Sequence, residues 1–170
     1  MNADCGTAKN IFVTVGAQMP FDRLIKAIDE WAAVHSDYHI LAQTGKTFYT
    51  PRHIEAVEFI QPREFHQRVL WANLLVSHAG MGSILTALQY GKPIVVMPRL
   101  GRLQETRNDH QVATAMRFKA TAQVAVALNQ EELWLQLDDL GSIGAGEVIS
   151  ENASPELLET VRQFIGSAKT

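Results

Sequence analysis

Short apolar runs alternate with segments of helical periodicity along most of this chain. Buried strands are predicted near residues 11–15, 38–42, 56–60, 74–77, 94–97 and 121–125. Amphipathic helices are predicted near residues 21–34, 63–71, 82–90, 108–118 and 130–138. Regular alternation of strands and helices predicts parallel strands joined by right-handed crossovers. The expected fold class is therefore α/β, with a Rossmann-like, doubly wound parallel sheet.

The chain divides into a main domain, a hinge and a terminal helix. Residues 1–140 hold the alternating elements and form the expected α/β domain. Glycines cluster just beyond it and predict a flexible hinge over 141–153. Ser154 followed by Pro155 predicts the start of an amphipathic helix over 154–167. Its apolar stripe consists of Leu157, Leu158, Val161, Phe164 and Ile165. The stripe suits this chain's own sheet and a partner protein equally well.

The stretch from Val76 to Ser83 is the most informative local motif. There an apolar strand leads into a histidine, two glycines and a serine at the start of a helix. Backbone N–H groups at a helix start lack intrahelical partners and lie at the positive end of the helix dipole, so they favour an anion. Gly80 and Gly82 let the backbone approach a ligand closely, and Ser83 and His78 supply further donors. The motif predicts a phosphate site, although Gly-x-Gly alone also fits a tight turn beside a buried histidine.

A second buried strand, 94–97, leads into a polar loop that ends in Asn108-Asp109-His110-Gln111. Two neighbouring strands therefore deliver polar residues to one edge of the sheet. In open α/β sheets, ligands bind at this carboxyl edge.

The block from Val76 to Ala115 resembles the donor-nucleotide half of the GT-B glycosyltransferases of family 28. The resemblance lies in the runs VSHAGMGSILTAL, GKPIVVMPR and NDHQVATA, and in the opening IFVTVG followed by FDRLI. It covers most of residues 10–125. With only one half of the two-lobed enzyme present, the chain resembles the catalytic subunit of two-component transferases. These include the eukaryotic N-acetylglucosaminyltransferase that adds the second sugar to dolichol-diphosphate and bacterial exopolysaccharide subunits of the PssE type, to which the run ETRNDHQ is more similar.

The resemblance implies a glucuronosyl-, glucosyl- or N-acetylglucosaminyltransferase that is active as a complex in polysaccharide biosynthesis. It implies transfer from a UDP-sugar to a polyprenyl-diphosphate-linked acceptor, with a membrane-anchored, acceptor-binding subunit of the PssD type as partner. The chain would then lie peripherally at the inner face of the plasma membrane. No clustered aspartates are evident, so we expect no metal and no other cofactor, and the general base is expected to come from the partner.

The resemblance also assigns the UDP-sugar to residues at the carboxyl edge. They are Gly16, Gln43, Lys46, Ile60, His78, Gly80, Gly82, Ser83, Thr86, Arg99, Asn108, Asp109, His110 and Gln111. His78 is the expected catalytic residue, because with the helix N–H groups it would stabilise charge on the leaving UDP. Lys46 would pair with the diphosphate, the Ile60 backbone would read the uracil edge, and Gln111 with His110 would bind sugar hydroxyls.

Several of these positions also have plain structural interpretations. Gly16 fits a simple turn, and Lys46 fits a solvated loop. Phe59 and Ile60 fit core positions of the third strand, and for Phe59 this is the favoured interpretation.

The arginines of the loop after 94–97 have two interpretations. Arg99, with Arg102 and Arg107, could pair with a uronate on the donor or with the lipid diphosphate. They also fit a solvated basic loop in which Glu105 and Asp109 act as counterions.

Thr86 departs from the pattern of the family. Many relatives carry a glutamate there, which accepts hydrogen bonds from the ribose diol. A hydroxyl accepts less strongly than a carboxylate, so ribose recognition is expected to be weaker. The departure leaves open a non-catalytic, regulatory module that binds a nucleotide sugar.

Charge and composition exclude several function classes. The 170 residues are 46% hydrophobic, enough for one domain with a layered core. A formal net charge of −3 gives no reason to expect nucleic acid as a partner. Cys5 is the single cysteine, so no disulfide framework is possible and a reducing compartment fits. We expect a cytoplasmic protein, because neither a signal peptide nor a run of roughly 18 apolar residues is present. An NAD-dependent oxidoreductase is disfavoured, since the first strand lacks Gly-x-Gly-x-x-Gly and no acidic residue ends the second.

Overall fold

The computed structural model describes residues 9–17, 19–121, 124–140 and 143. The terminal helix expected over 154–167, and the expected hinge apart from residue 143, lie outside the described residues. The described strands are β1 Lys9–Thr14, β2 Tyr38–Gln43, β3 Glu55–Val57, β4 Leu74–His78, β5 Ile94–Met97 and β6 Ala125–Val126. The described helices are α1 Asp22–Ala32, α2 Pro62–Trp71, α3 Met81–Gln89, α4 His110–Thr121 and α5 Gln130–Asp138, with a short 3₁₀ turn at Gly101–Leu103.

The strands form one parallel sheet in the order β3-β2-β1-β4-β5-β6. β1 is central, and its Val13 is in register with Ala42 of β2 and Val76 of β4. The expected α/β fold with a doubly wound parallel sheet is confirmed. Within the described residues, each expected strand and helix has a counterpart, and two strands are shorter than expected. β3 ends at Val57 instead of residue 60, and β6 begins at Ala125 because α4 continues to Thr121.

Helices cover both faces of the sheet. Ile11 and Val13 of β1 belong to the apolar core beneath α1 and α5. Phe12, between them, points into the other core, beneath α2, α3 and α4. This alternation follows from the two-residue period of a strand, and it explains why strands buried on both faces appear as continuous apolar runs. Phe59 is an exception to the expected core, because its side chain is 64% exposed.

The loop between β2 and β3 is fastened to α1 by two aspartates. Asp22 accepts hydrogen bonds from Thr47 Oγ1 at 2.6 Å and from the Phe48 N–H at 3.1 Å. Asp29, which is buried, accepts from the Tyr49 hydroxyl and from the N–H groups of two further loop residues. Burial raises the pKa of Asp29, but these hydrogen bonds outweigh it and the pKa lies below its usual value. The loop therefore has a fixed path at the carboxyl edge of the sheet.

Candidate functional site

A cleft of about 360 Å³ opens at the carboxyl edge of the sheet, beside the start of α3. The ends of β1 to β4, or the loops that follow them, contribute to its lining together with α3. The expected site residues that line it are Gly16, Gln43, Ile60, His78, Gly82, Ser83 and Thr86. The remaining expected residues lie outside the lining. These are Lys46, Gly80, Arg99, Asn108, Asp109, His110 and Gln111.

The first turn of α3 presents unpaired backbone N–H groups to this cleft. α3 begins at Met81, after Gly80 in an extended conformation, and no side chain caps it. The Gly80 N–H donates to the His78 carbonyl at 2.8 Å. Contrary to the expectation from the sequence, it is therefore not free to bind a ligand. Among the described hydrogen bonds, none involves the N–H of Met81, Gly82 or Ser83. A Cβ built on Gly82 meets no atom within 4 Å, so open space faces this glycine.

The His78 ring is packed between two glycines. A Cβ at Gly16 would lie 2.7 Å from ring Cε1, and one at Gly80 would lie closer still to ring Nε2. Gly16 also has a φ of +76°, a left-handed conformation that favours glycine. Both positions therefore require glycine because of the ring between them.

His78 is uncharged at neutral pH. Burial, followed by the positive charge of Arg99, lowers the pKa of His78 from 6.5 to about 4, against a hydrogen bond to the Thr14 backbone that raises it. Ser77 Oγ lies 3.2 Å from ring Nδ1. With Ser77 donating to Nδ1, Nε2 of the neutral ring carries the proton.

Gln43 is bonded to the protein itself. Its Oε1 accepts from Thr14 Oγ1 at 2.7 Å, and its Nε2 donates to the carbonyls of Gly16 at 3.3 Å and Glu58 at 3.2 Å. The amide thus joins the ends of three strands behind the cleft. It stabilises the cleft wall instead of presenting a free amide to a ligand.

Ile60 combines a buried side chain with a free backbone. The side chain is 7% exposed and packs against the core under α2. In the described part of the chain, no hydrogen bond involves its backbone N–H or C=O. An amide group left unpaired at a cleft needs water or a ligand as a partner. Phe59 lies beside it in the lining, with its ring largely exposed.

Thr86 faces the cleft from the second turn of α3. Its Oγ1 donates to the Gly82 carbonyl at 2.8 Å. Since its one proton is used there, the hydroxyl oxygen is left as an acceptor towards the cleft. The oxygen can accept a hydrogen bond from a ligand, and the expected contact of Thr86 with a ribose stays a prediction.

Arg99 contacts backbone instead of an external anion. The residue is 4% exposed, and its Nη2 donates to the carbonyls of Val15 at 2.7 Å and of Met19. The expectation that Arg99 pairs directly with a donor or acceptor anion does not fit this geometry, because burial keeps the guanidinium away from solvent.

The carboxylates near the loop arginines also have other partners. Arg23 of α1 binds Glu105 through two nitrogens, at 2.7 and 2.9 Å. Asp109 accepts the first N–H of the 3₁₀ turn at 2.8 Å. Neither acid therefore serves as the expected counterion, and among the described residues no ion pair includes Arg102 or Arg107.

The start of α4 carries the residues expected to bind the sugar. Gln111 Oε1 accepts the Arg99 N–H at 3.1 Å, so the amide NH₂ remains available as a donor. Asn108 Oδ1 accepts the His110 N–H at 3.4 Å, and both side chains are exposed. Lys46 is also exposed, in the loop after β2.

Sequence reasoning missed three lining residues, which are Thr14, Ala17 and Phe65. Phe59 also lines the cleft, but with an exposed ring instead of the core position that the sequence favoured. Thr14 and Ala17 flank the expected glycine turn, so their position along the chain was a usable signal. Phe65 lies on α2, and its place in the lining depends on how that helix packs.

Residues 10–159 match the model of the glycosyltransferase family 28 C-terminal domain. The chain belongs to this family. The match contains every described element from β2 to α5, including the whole lining of the cleft. The resemblance seen in the sequence is thereby confirmed at the level of the family.

Two curated proteins are similar to this family 28 chain. A putative UDP-glucuronosyltransferase, ugt-50, of Caenorhabditis elegans is 30% identical over 104 residues, which are 55% of this chain and 20% of that protein. The UDP-N-acetylglucosamine transferase subunit ALG13 of Yarrowia lipolytica is 29% identical over 126 residues, 64% of this chain and 60% of the relative. The family 28 chain thus spans less than two thirds of either protein.

Solved structures agree on the fold. An NMR structure of ALG13 superposes with a TM-score of 0.60 at 19% identity, covering 84% of this chain and 90% of that one. Two GT-B neighbours, the glycotransferase of kitacinnamycin and the calicheamicin glycosyltransferase CalG4, superpose with TM-scores of 0.60 and 0.59 at 21% and 17% identity, and this chain covers 37% and 36% of them. The family 28 chain therefore has the fold of one half of a GT-B enzyme.

The described ranges contain neither a membrane-spanning helix nor a cluster of metal ligands. No helix there is long and apolar enough to cross a bilayer. No group of three or more His, Cys, Asp or Glu residues there is arranged to hold a metal ion.

Proposed function

We propose that this chain is the donor-binding subunit of a UDP-sugar-dependent hexosyltransferase. It binds the UDP-sugar in the cleft and transfers the sugar to a polyprenyl-diphosphate-linked acceptor in exopolysaccharide synthesis. A membrane-anchored, PssD-type partner holds the acceptor and keeps the chain at the inner face of the plasma membrane. The UDP-sugar names of both curated relatives support the donor. The run ETRNDHQ supports the bacterial type.

The observation that carries the proposal is the first turn of α3. Its unpaired N–H groups and the open space at Gly82 lie where a diphosphate can approach to hydrogen-bonding distance. His78 is neutral, and in the tautomer in which Ser77 donates to Nδ1 its Nε2–H adds a donor without the desolvation cost of a charged ring. Thr86 accepts from the ribose, and the free backbone of Ile60 pairs with the uracil edge.

These groups act on the charge that develops during transfer. The acceptor hydroxyl oxygen bonds to the anomeric carbon while the bond from that carbon to the β-phosphate oxygen breaks. The hydroxyl proton goes to a base on the partner, and UDP leaves with the bonding electrons. Fixed N–H donors at the leaving oxygen stabilise that charge without reorganising.

The substitution Gly82→Ala tests the diphosphate site. Its Cβ would enter the open space in front of the helix N–H groups, and Ala is the better helix former, so the fold is retained. Losing one charge-assisted hydrogen bond costs about 1.5–3 kcal/mol, so the Kd for UDP should rise about 10-fold to 100-fold in calorimetry.

Uridine provides the control ligand, because it shares the base and ribose but has no phosphate. Its affinity should be the same for wild type and Gly82→Ala. A folded Gly82→Ala protein that binds UDP like the wild type would exclude the diphosphate site at α3.

A second candidate function is a non-catalytic module that binds a nucleotide sugar. It is favoured by the lining of the cleft, whose described residues include no carboxylate to act as a general base. Transfer of labelled sugar to a lipid-diphosphate acceptor, by the chain co-expressed with its membrane-anchored partner, would exclude this candidate. UDP binding without transfer would support it.

A further inference from the structure

Arg99 joins two loops that are far apart in sequence. It follows β5 directly, and its Nη2 reaches back to the carbonyls of Val15 and Met19 in the loop after β1. Its own N–H is held by Gln111 at the start of α4. The guanidinium therefore connects the turn containing Gly16 to the loop that leads to the expected sugar-binding residues.

The charge of Arg99 is not needed for that connection. A neutral donor at the position of Nη2, which a glutamine side chain is too short to reach, could bind the same carbonyls with a smaller desolvation penalty, because burying a cation is costly. No described carboxylate lies within ion-pair distance, and Nε has no hydrogen-bond partner. Burial lowers the pKa of Arg99 and the negative charge of Glu105 raises it. Burial is the larger effect, so the pKa lies below its usual value. Arg99 Cζ lies 5.2 Å from the centroid of the Phe21 ring, and this cation–π contact compensates only weakly for burying the charge.

We propose that Arg99 is a positioning residue for the donor site: it fixes the turn after β1 against His78 and places behind the cleft a positive charge that has no ion-pair partner among the described residues. This inference rests on the proposed UDP-sugar site. In that site, the turn and the ring form one rigid wall, and the buried charge attracts the donor diphosphate without touching it.

His78 reports on this arrangement independently of any ligand. Two groups besides burial shift the pKa of the His78 ring. Arg99 does so through its charged side chain, and Thr14 through its backbone. Ser77 and the cleft lining add no further charged side chains. Loosening the turn would expose the ring and favour its protonation, and removing the positive charge must favour protonation further.

Two substitutions separate charge from geometry. Arg99→Lys keeps the charge but loses the contacts to the two carbonyls, because the lysine side chain is shorter and ends before the position of Nη2. Arg99→Gln loses both. Arg117→Gln, at an exposed position of α4, is the matched control for the loss of one positive charge. All three are compared with wild type by thermal melting, by NMR titration of the His78 ring and by calorimetry with UDP-glucose. Both phosphates of UDP-glucose are esterified, so its charge is constant near neutral pH.

The proposal expects folded variants at position 99 with UDP-glucose affinity reduced about 10-fold or more, the scale of a displaced wall of the site. The His78 ring should titrate at higher pH in Arg99→Gln than in Arg99→Lys, because both variants loosen the turn but only Arg99→Gln removes the positive charge. Arg117→Gln should match wild type in both measurements.

Four results would overturn the proposal. The first two are wild-type affinity for UDP-glucose in both Arg99 variants and identical His78 titrations in Arg99→Gln and Arg99→Lys. The others are effects of Arg117→Gln as large as those of the Arg99 variants, and failure of both Arg99 variants to fold. If wild type itself does not bind UDP-glucose, the proposed function fails, and the difference between Arg99→Gln and Arg99→Lys still decides whether Arg99 sets the state of His78.

Discussion

His78 should make the stability of the folded protein sensitive to mild acid. Its pKa is about 4 in the folded chain and 6.5 when solvated. Between these values the unfolded chain binds a proton that the folded chain does not, so stability is full above pH 6.5 and is lost as the pH falls. At pH 5 the loss amounts to about 2 kcal/mol, and at pH 7 it is close to zero.

The substitution His78→Gln isolates this contribution. Other groups also respond to acid, so the informative quantity is the change in the free energy of unfolding between pH 7 and pH 5, compared between proteins. Urea denaturation followed by tryptophan fluorescence should give a change that is about 2 kcal/mol smaller in His78→Gln than in wild type. His39→Gln, at an exposed position, should behave like wild type.

The result that refutes the reasoning is an equal loss of stability in wild type and His78→Gln. His78 would then be accessible enough to protonate without opening the cleft. Its neutral state could no longer be assumed in the proposed donor site.

Other substitutions test the packing and the sugar contact. Gly16→Ala and Gly80→Ala should each lower the melting temperature by several degrees, because a Cβ collides with the His78 ring; melting like that of wild type would contradict this packing. Gln111→Ala should weaken a UDP-sugar more than UDP, by about 1–3 kcal/mol, whereas equal losses for the two ligands in calorimetry would indicate a role in the nucleotide pocket or the fold. Asp29→Asn should destabilise the chain by about 1–3 kcal/mol in urea, since an amide replaces one acceptor oxygen by a donor facing loop N–H groups, and unchanged unfolding would show that the loop holds without it.

The sequence predicted those features that depend on local patterns. The strand ending at His78 and the helix beginning just after it follow from an apolar run, a glycine pair and helical periodicity, all within a few residues. Phe59 shows the limit of such patterns. It belongs to an apolar run that resembles a strand, but the sheet ends at Val57, and the ring is exposed while Ile60 is buried.

Contacts between distant segments were beyond the sequence. Arg99 and Val15 are 84 residues apart, and their hydrogen bond depends on how two loops fold back over the sheet edge. Periodicity cannot show that an arginine in a polar loop is buried. In the same way, Gln43 looked free for a ligand because the carbonyls that bind it come from the ends of other strands.

The central place of β1 has a consequence for how the protein is made. Val13 pairs with Val76, which the ribosome adds 63 residues later, so one side of β1 remains open while β2 and α2 are synthesised. On the face containing Phe12, Phe65 of α2 is synthesised earlier, but the cover from α3 and α4 comes later than Val76. A nascent chain that ends before Gly91 lacks this cover and can be retained by chaperones that bind apolar segments. Because the cleft also requires α3, a ligand bound there cannot assist these early stages and can only stabilise a sheet that has already closed.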